Sequence, residues 1–132
     1  MKEINIRTNS LVEMIDITVA VCEAVKENNT QSGYCIVFTP HTTAAVTINE
    51  NADPDVPRDI ISALEKAVPQ NANYRHREDN SPAHVKSSLV GVSEIVLIEN
   101  GRLVLGTWQS IFFCEFDGPR SRRVLVNIIP TG

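Results

Sequence analysis

A chain of 132 residues is the size of one domain, long enough to bury a single contiguous core and too short for two independent ones. Apolar residues make up 42% and charged residues 21%, an ordinary globular balance that argues against extensive disorder and against a membrane protein. The net charge of −4, with no long basic run, lacks the electrostatic footprint of a general nucleic-acid binder.

The first ten residues, MKEINIRTNS, break up the apolar stretch that a secretory signal requires. No later segment approaches the roughly 20 apolar residues of a spanning helix, so a cytoplasmic protein is expected. Cys22, Cys35 and Cys114 are odd in number, far apart and set among apolar neighbours, which predicts reduced core thiols, not a disulfide framework.

In chain order, Ile4 to Arg7 alternate as a half-buried strand does, and a second short strand is expected around Val12 to Ile15. Ile17, Val21, Ala24 and Val25 keep helical spacing, with Asp16 or Thr18 available as a cap and Asn28-Asn29 as the stop. Tyr34 to Thr39 is β-branched and aromatic, which predicts a strand buried on both faces and ended by Pro40. Ala44 to Asn49 predicts another strand, with Val46 and Ile48 on one face.

A second helix is expected from Asp55, acting as N-cap, with Ile60, Ile61, Leu64 and Val68 on one face and Pro69 closing it. Gln70 to Asn80 is polar and charged and predicts a surface loop. Ser81-Pro82 starts a short helix ending at Gly91, from one side of which His84, Ser87 and Ser88 project. Ile95 to Ile98 predicts a buried strand, Asn100-Gly101 a two-residue hairpin turn, and Leu103 to Leu105 the return strand. Ile111 to Phe116 and Val124 to Ile129 predict two more strands, joined across the turn-forming Asp117-Gly118-Pro119. About seven strands and two to three helices, without regular strand–helix alternation, define an α+β class in a single domain.

All three histidines sit in polar connections: His41 after Pro40, His76 in the charged loop and His84 at the start of the short helix. Histidine is the usual neutral-pH proton carrier and a common metal ligand, so three converging rings would make an acid/base cluster or a His₃ metal site. Each also reads as an ordinary surface or loop-anchoring histidine, since the spacing matches no metal motif. The run HTTAAVTINENADPDV sets His41, Thr42 and Thr43 before a strand and Glu50, Asn51, Asp53 and Asp55 after it. Such hydroxyls and carboxylates can orient an imidazole or bind a hard cation, although Asp53 and Asp55 equally serve as helix caps. Glu115, inside an otherwise apolar strand, must face water, a neighbouring subunit or a cation. Arg120, Arg122 and Arg123 cluster beside a turn and can grip a phosphate or carboxylate.

Three stretches, HTTAAVTINENADPDV, YRH through EDNSPAHVKSSLVG, and GRLVLGTWQSIFFCEFDGPRSRRVLV, together resemble the YjbQ-like family across about Ile15 to Ile129. The resemblance implies an α+β fold containing a two-sheet β-sandwich, assembled as a homotrimer with polar sites near subunit boundaries. It also implies the family's secondary thiamine-phosphate synthase activity, which joins a pyrimidine diphosphate to a thiazole phosphate. Carried over by residue, His41, Glu50, Asp79 and His84 become catalytic, and Thr42, Thr43, Asn80, Lys86, Gln109, Arg120 and Arg122 bind substrate. His41, His76 and His84 become ligands for a divalent metal, Zn or Mg. The loop between His76 and Asp79 is shorter than is common in the family, and the position of His76 turns on that departure. A metal-assisted hydrolase of a small phosphorylated compound and a trimeric metal- or small-molecule-binding protein without turnover are the competing readings.

Overall fold

The structure is a computed structural model describing residues 1–132. Eight strands and three helices follow in the order β1 (Lys2–Arg7), β2 (Glu13–Asp16), α1 (Thr18–Asn28), β3 (Ser32–Phe38), β4 (Ala44–Glu50), α2 (Asp55–Ala67), α3 (Ser81–Val90), β5 (Ser93–Glu99), β6 (Arg102–Leu103), β7 (Gln109–Glu115) and β8 (Ser121–Pro130). They form two antiparallel sheets, one of five strands ordered β1-β8-β3-β5-β6 and one of three ordered β2-β7-β4. The α+β class holds. No helix is long and apolar enough to cross a membrane.

Period-2 alternation sorts the side chains of β7 onto two cores. Ile111 and Phe113 face the five-stranded sheet and meet Cys35, Val37, Val96, Ile98, Val124 and Val126, with Val21, Ala24 and Val25 of α1 filling the same space. Phe112, Cys114 and Phe116 face the other way and meet Ala45 and Ala83, with Met14, Leu64 and Val90 at the margin. The second core is roofed by α3 and part of α2. Burial pushes the thiols of Cys35 and Cys114 to about 11 and about 12, so both stay protonated. Cys22 departs from the expected core position and is exposed on α1.

Several local expectations take a different form in the fold. Only one face of the five-stranded sheet is covered, so β3 and β5 alternate instead of being buried on both faces. Gly33, Cys35 and Val37 point inward, while Tyr34, Ile36 and Phe38 are half-buried and Ile95 and Leu97 are about 60% exposed. Asp53, not Asp55, closes the start of α2: its carboxylate accepts the Asp55 N–H at 2.9 Å. Asp16 does fasten the start of α1, accepting the Thr18 N–H at 2.9 Å. The Asp117-Gly118-Pro119 turn joins β7 to β8 as expected, and it does so by carrying the chain from one sheet to the other. The two-residue turn at Asn100-Gly101 is as expected, with φ of 53° and 72° and Ile98 opposite Leu103, but the return strand is Arg102–Leu103 and stops short of Leu105.

Candidate functional site

The inter-sheet core ends in charge. Glu115 continues the inward face of Ile111 and Phe113, and Arg122 continues that of Val124 and Val126, so the two meet at one mouth of the sandwich. Glu115 is 0% and Arg122 6% exposed, and the pairing is bidentate: Arg122 Nε donates to Oε1 at 2.9 Å and its terminal nitrogen to Oε2. Thr8 Oγ1 donates to the same carboxylate at 2.7 Å and the Asp117 N–H at 3.0 Å. Burial alone would raise the Glu115 carboxyl, but the bonds from Arg122, Thr8 and Asp117 and the Arg122 charge hold it below its ordinary value. Arg122 also donates to Thr43 Oγ1 at 2.8 Å. That hydroxyl is therefore an acceptor toward Arg122, and its own proton is available to another partner.

His41 owes its orientation to the preceding proline. The β3–β8 register sets Phe38 opposite Leu125, and the next two steps would place Pro40 opposite Arg123. Proline has no N–H to continue the ladder, so side chains take over from the backbone. Thr39 Oγ1 donates to the Arg123 carbonyl at 3.1 Å, and His41 Nε2 accepts the Arg123 N–H at 3.1 Å. Desolvation, then the charges of Arg122 and Arg123, lower the His41 pKa below its ordinary 6.5, against a smaller opposing pull from Glu115. The ring is neutral at physiological pH.

α3 supplies the facing wall. Pro82 sits in its first turn and the helix ends at Gly91, whose φ of 99° suits only glycine. Ser87 Oγ donates to the buried Ala44 carbonyl at 2.6 Å and fastens the helix to β4. His84 thereby faces His41 across two adjoining pockets. One, of 320 Å³, is lined by His41, Thr42, Thr43, Asn80, His84, Arg120 and Arg122, together with Pro40, Glu78 and Asp117. The other, of 520 Å³, shares Pro40, His41, Thr42 and His84 but continues to Phe38, Val92, Ser87 and Ser88. Arg120 is held by Asp117, through Nε to its carbonyl at 2.7 Å and a terminal nitrogen to its carboxylate at 2.9 Å. Asn80 donates to the same carboxylate oxygen at 2.9 Å, while its own Oδ1 is buried without a partner.

Seven of the residues carried over from the family resemblance thus converge: His41, Thr42, Thr43, Asn80, His84, Arg120 and Arg122. The others do not. Glu50 and Gln109 pair with each other at the far end of β4 and β7, about 20 Å from Ala44 at ~3.4 Å per residue, and line neither pocket. Lys86 is 3% exposed on the inner face of α3, its Nζ 5.8 Å from the centre of the Phe116 ring, and lines neither pocket. Burial lowers its pKa against the raising influence of Glu65. Asp79, with φ of 60°, and His76 line a separate polar pocket beside Tyr74. His76 reaches the site only through its ring, packed edge-on against His84 at 5.2 Å between centroids.

Nowhere in the chain do three His, Cys, Asp or Glu side chains gather as metal ligands. His41 Nε2 is moreover already occupied by the Arg123 N–H. The donor set of one chain does not fit the three-histidine Zn or Mg centre expected from the resemblance. Asp117, read in the sequence only as a turn residue, and Glu78 are the charged residues lining the smaller pocket that the sequence did not mark, as Phe38 and Val92 are among the apolar ones of the larger. The signal for Asp117 was its position three residues before Arg120.

These features define a class: an α+β sandwich with a polar cleft, lined by histidine and arginine, at one mouth of its core. The chain belongs to the family described as UPF0047 protein YjbQ-like, which matches residues 2–131. It is 52% identical to a UPF0047 protein of Methanocaldococcus jannaschii over 94% of this chain and 90% of that one. It is 48% identical to UPF0047 protein YugU of Bacillus subtilis over 98% of each. A crystal structure of a YjbQ/UPF0047 family protein from Clostridium acetobutylicum, 53% identical, superposes with a TM-score of 0.96 over 98% of this chain and 100% of that one. A YbjQ-like protein of Sulfolobus solfataricus, 32% identical, gives 0.95 over 98% and 96%.

Proposed function

We propose that the protein is a small-molecule enzyme that joins a pyrimidine diphosphate to a thiazole phosphate, as the family's resemblance to secondary thiamine-phosphate synthase implies. The observation that supports this reading is the pair of pockets sharing one wall at His41 and His84. A polar chamber with Arg120 suits a phosphate group, and the chamber reaching Phe38 and Val92 suits the ring that carries it.

The reaction asks little of side chains beyond placement. The carbon–oxygen bond of the pyrimidine-methyl diphosphate breaks, and pyrophosphate leaves with the electron pair. The thiazole nitrogen donates its lone pair to the carbon and becomes the thiazolium. Catalysis therefore lies in holding the reactants in line and stabilising the departing anion, which Arg120 and the hydroxyls of Thr42 and Thr43 supply. Incubating the purified protein with both substrates and detecting thiamine phosphate tests the reading. We expect product formation, with Arg120→Ala lowering kcat/KM about tenfold or more. No product above the spontaneous background would end the proposal.

We further propose that the chain works as a homotrimer. The uncovered face of the five-stranded sheet supports this, because the register places Tyr34 beside Leu97 and Ile129, Ile36 beside Ile95, and Phe38 beside Leu125. An apolar sheet face of this kind is the normal mark of an interface. Sedimentation at micromolar concentration is expected to give a single trimeric species, and a monomer would refute it.

A further inference from the structure

The proton inventory of the cleft can be worked out from bonds already made. His41 Nε2 accepts the Arg123 N–H, so in the neutral ring the single proton resides on Nδ1. Protonating Nε2 would set two N–H groups against each other and undo the side-chain continuation of the β3–β8 ladder. The surrounding charges act in the same direction. Arg122, Arg123 and Arg120 oppose a second positive charge, Glu115 alone among the named groups favours one, and Glu115 is already neutralised by Arg122. Across the cleft stand His84 of α3 and the carboxylates of Glu78 and Asp117, the latter engaged by Arg120 and Asn80. Beside His41, Thr43 Oγ1 accepts from Arg122 and has its own proton to give.

We infer that His41 acts as a neutral hydrogen-bond donor, through Nδ1–H and alongside the Thr43 hydroxyl, to an oxyanion of a phosphate group, and that it is neither a metal ligand nor the general base. The inference rests on the phosphate-binding reading of the cleft and assigns the atom that makes the contact. It also separates the two facing histidines. His84 makes no such bond to the β8 backbone and instead packs edge-on against the ring of His76.

The test exploits the two nitrogens. An asparagine at this position brings its side-chain N–H to where Nδ1–H stands, whereas a glutamine brings its amide oxygen to where Nε2 stands. A ligand-donor role is rescued by Asn, and a purely structural role toward the Arg123 N–H is rescued by Gln. Binding of inorganic phosphate to the full chain is followed by nitrogen–proton NMR, with the wild type compared to His41→Asn, His41→Gln and His41→Ala.

The expected result is an Nδ1–H tautomer for His41 at neutral pH whose proton resonance moves on phosphate addition. His41→Asn should bind within about threefold of wild type, and His41→Gln and His41→Ala about tenfold or more weakly, the loss expected for a hydrogen bond to a charged group. Rescue by Gln but not Asn, or an Nε2–H or doubly protonated ring, overturns the assignment while phosphate binding itself stands. If millimolar phosphate moves no resonance of His41, Thr43, Asn80 or Arg120, the phosphate-binding reading falls and the donor role falls with it.

Discussion

Glu115→Ala is expected to cost about 3–5 kcal/mol of folding stability, because it leaves the Arg122 guanidinium buried with no anion to meet it. The same loss is expected for Arg122→Ala, which strands the carboxylate among Thr8, Thr43 and the end of the core. Replacing both partners, as in Glu115→Leu with Arg122→Met, should recover most of it, since an apolar pair extends the faces of Phe113 and Val124 without desolvating a charge. Urea unfolding of the three variants measures this: near-additive losses in the double variant would show that the pair is not coupled. The pH dependence has a definite sign. The folded-state pKa of Glu115 lies below its ordinary 4.5, so its contribution is fully present above 4.5 and disappears as pH falls through the lower, folded value. Acid should therefore unfold the wild type more readily than the double variant.

The site loses function in the double variant even where the fold recovers. Arg122 holds Thr43 Oγ1 and lines the polar pocket, so a protein stable without it is expected to bind phosphate poorly. Stability and ligand binding are in this way joined at one terminal nitrogen of the guanidinium, which donates both to Glu115 and to Thr43 Oγ1, while Nε meets Glu115 alone.

Much of this arrangement was legible in the residues, because local chemistry determined it. Asn100-Gly101 between apolar runs specifies a hairpin, Ser81-Pro82 through Gly91 specifies a short helix, and Glu115 among phenylalanines calls for water, a neighbouring subunit or a cation, of which the fold supplies the cation Arg122. What sequence could not show was which end of a strand meets which loop. His41 precedes β4 and Glu50 ends it, so the length of the strand carries them to opposite ends of the sheet. Lys86 lies two residues from His84, and the helical turn swings it away from the cleft onto Phe116. The alternation of β3 and β5 was hidden for another reason: their outward positions are as apolar as their inward ones, so period 2 leaves no trace in the composition.

Gly118→Ala is the second large effect expected, and it reaches the site from the turn between the sheets. A Cβ at this position would lie 2.3 Å from the Ser10 carbonyl oxygen and 2.8 Å from both Glu115 Cγ and Thr8 Oγ1. None of the three can yield freely. Ser10 is backbone, Thr8 is bound to Glu115 and to the Arg120 N–H at 2.8 Å, and Glu115 is fixed by Arg122. The methyl must therefore displace the turn, costing about 1–3 kcal/mol or more as overpacking does. That displacement moves Asp117 and Arg120, which border the polar pocket on either side of Gly118-Pro119. The variant should lose both stability in urea and phosphate affinity. A Gly118→Ala protein with wild-type unfolding would mean that the turn is free to move, and that the Thr8–Glu115–Arg122 network does not hold the cleft in place.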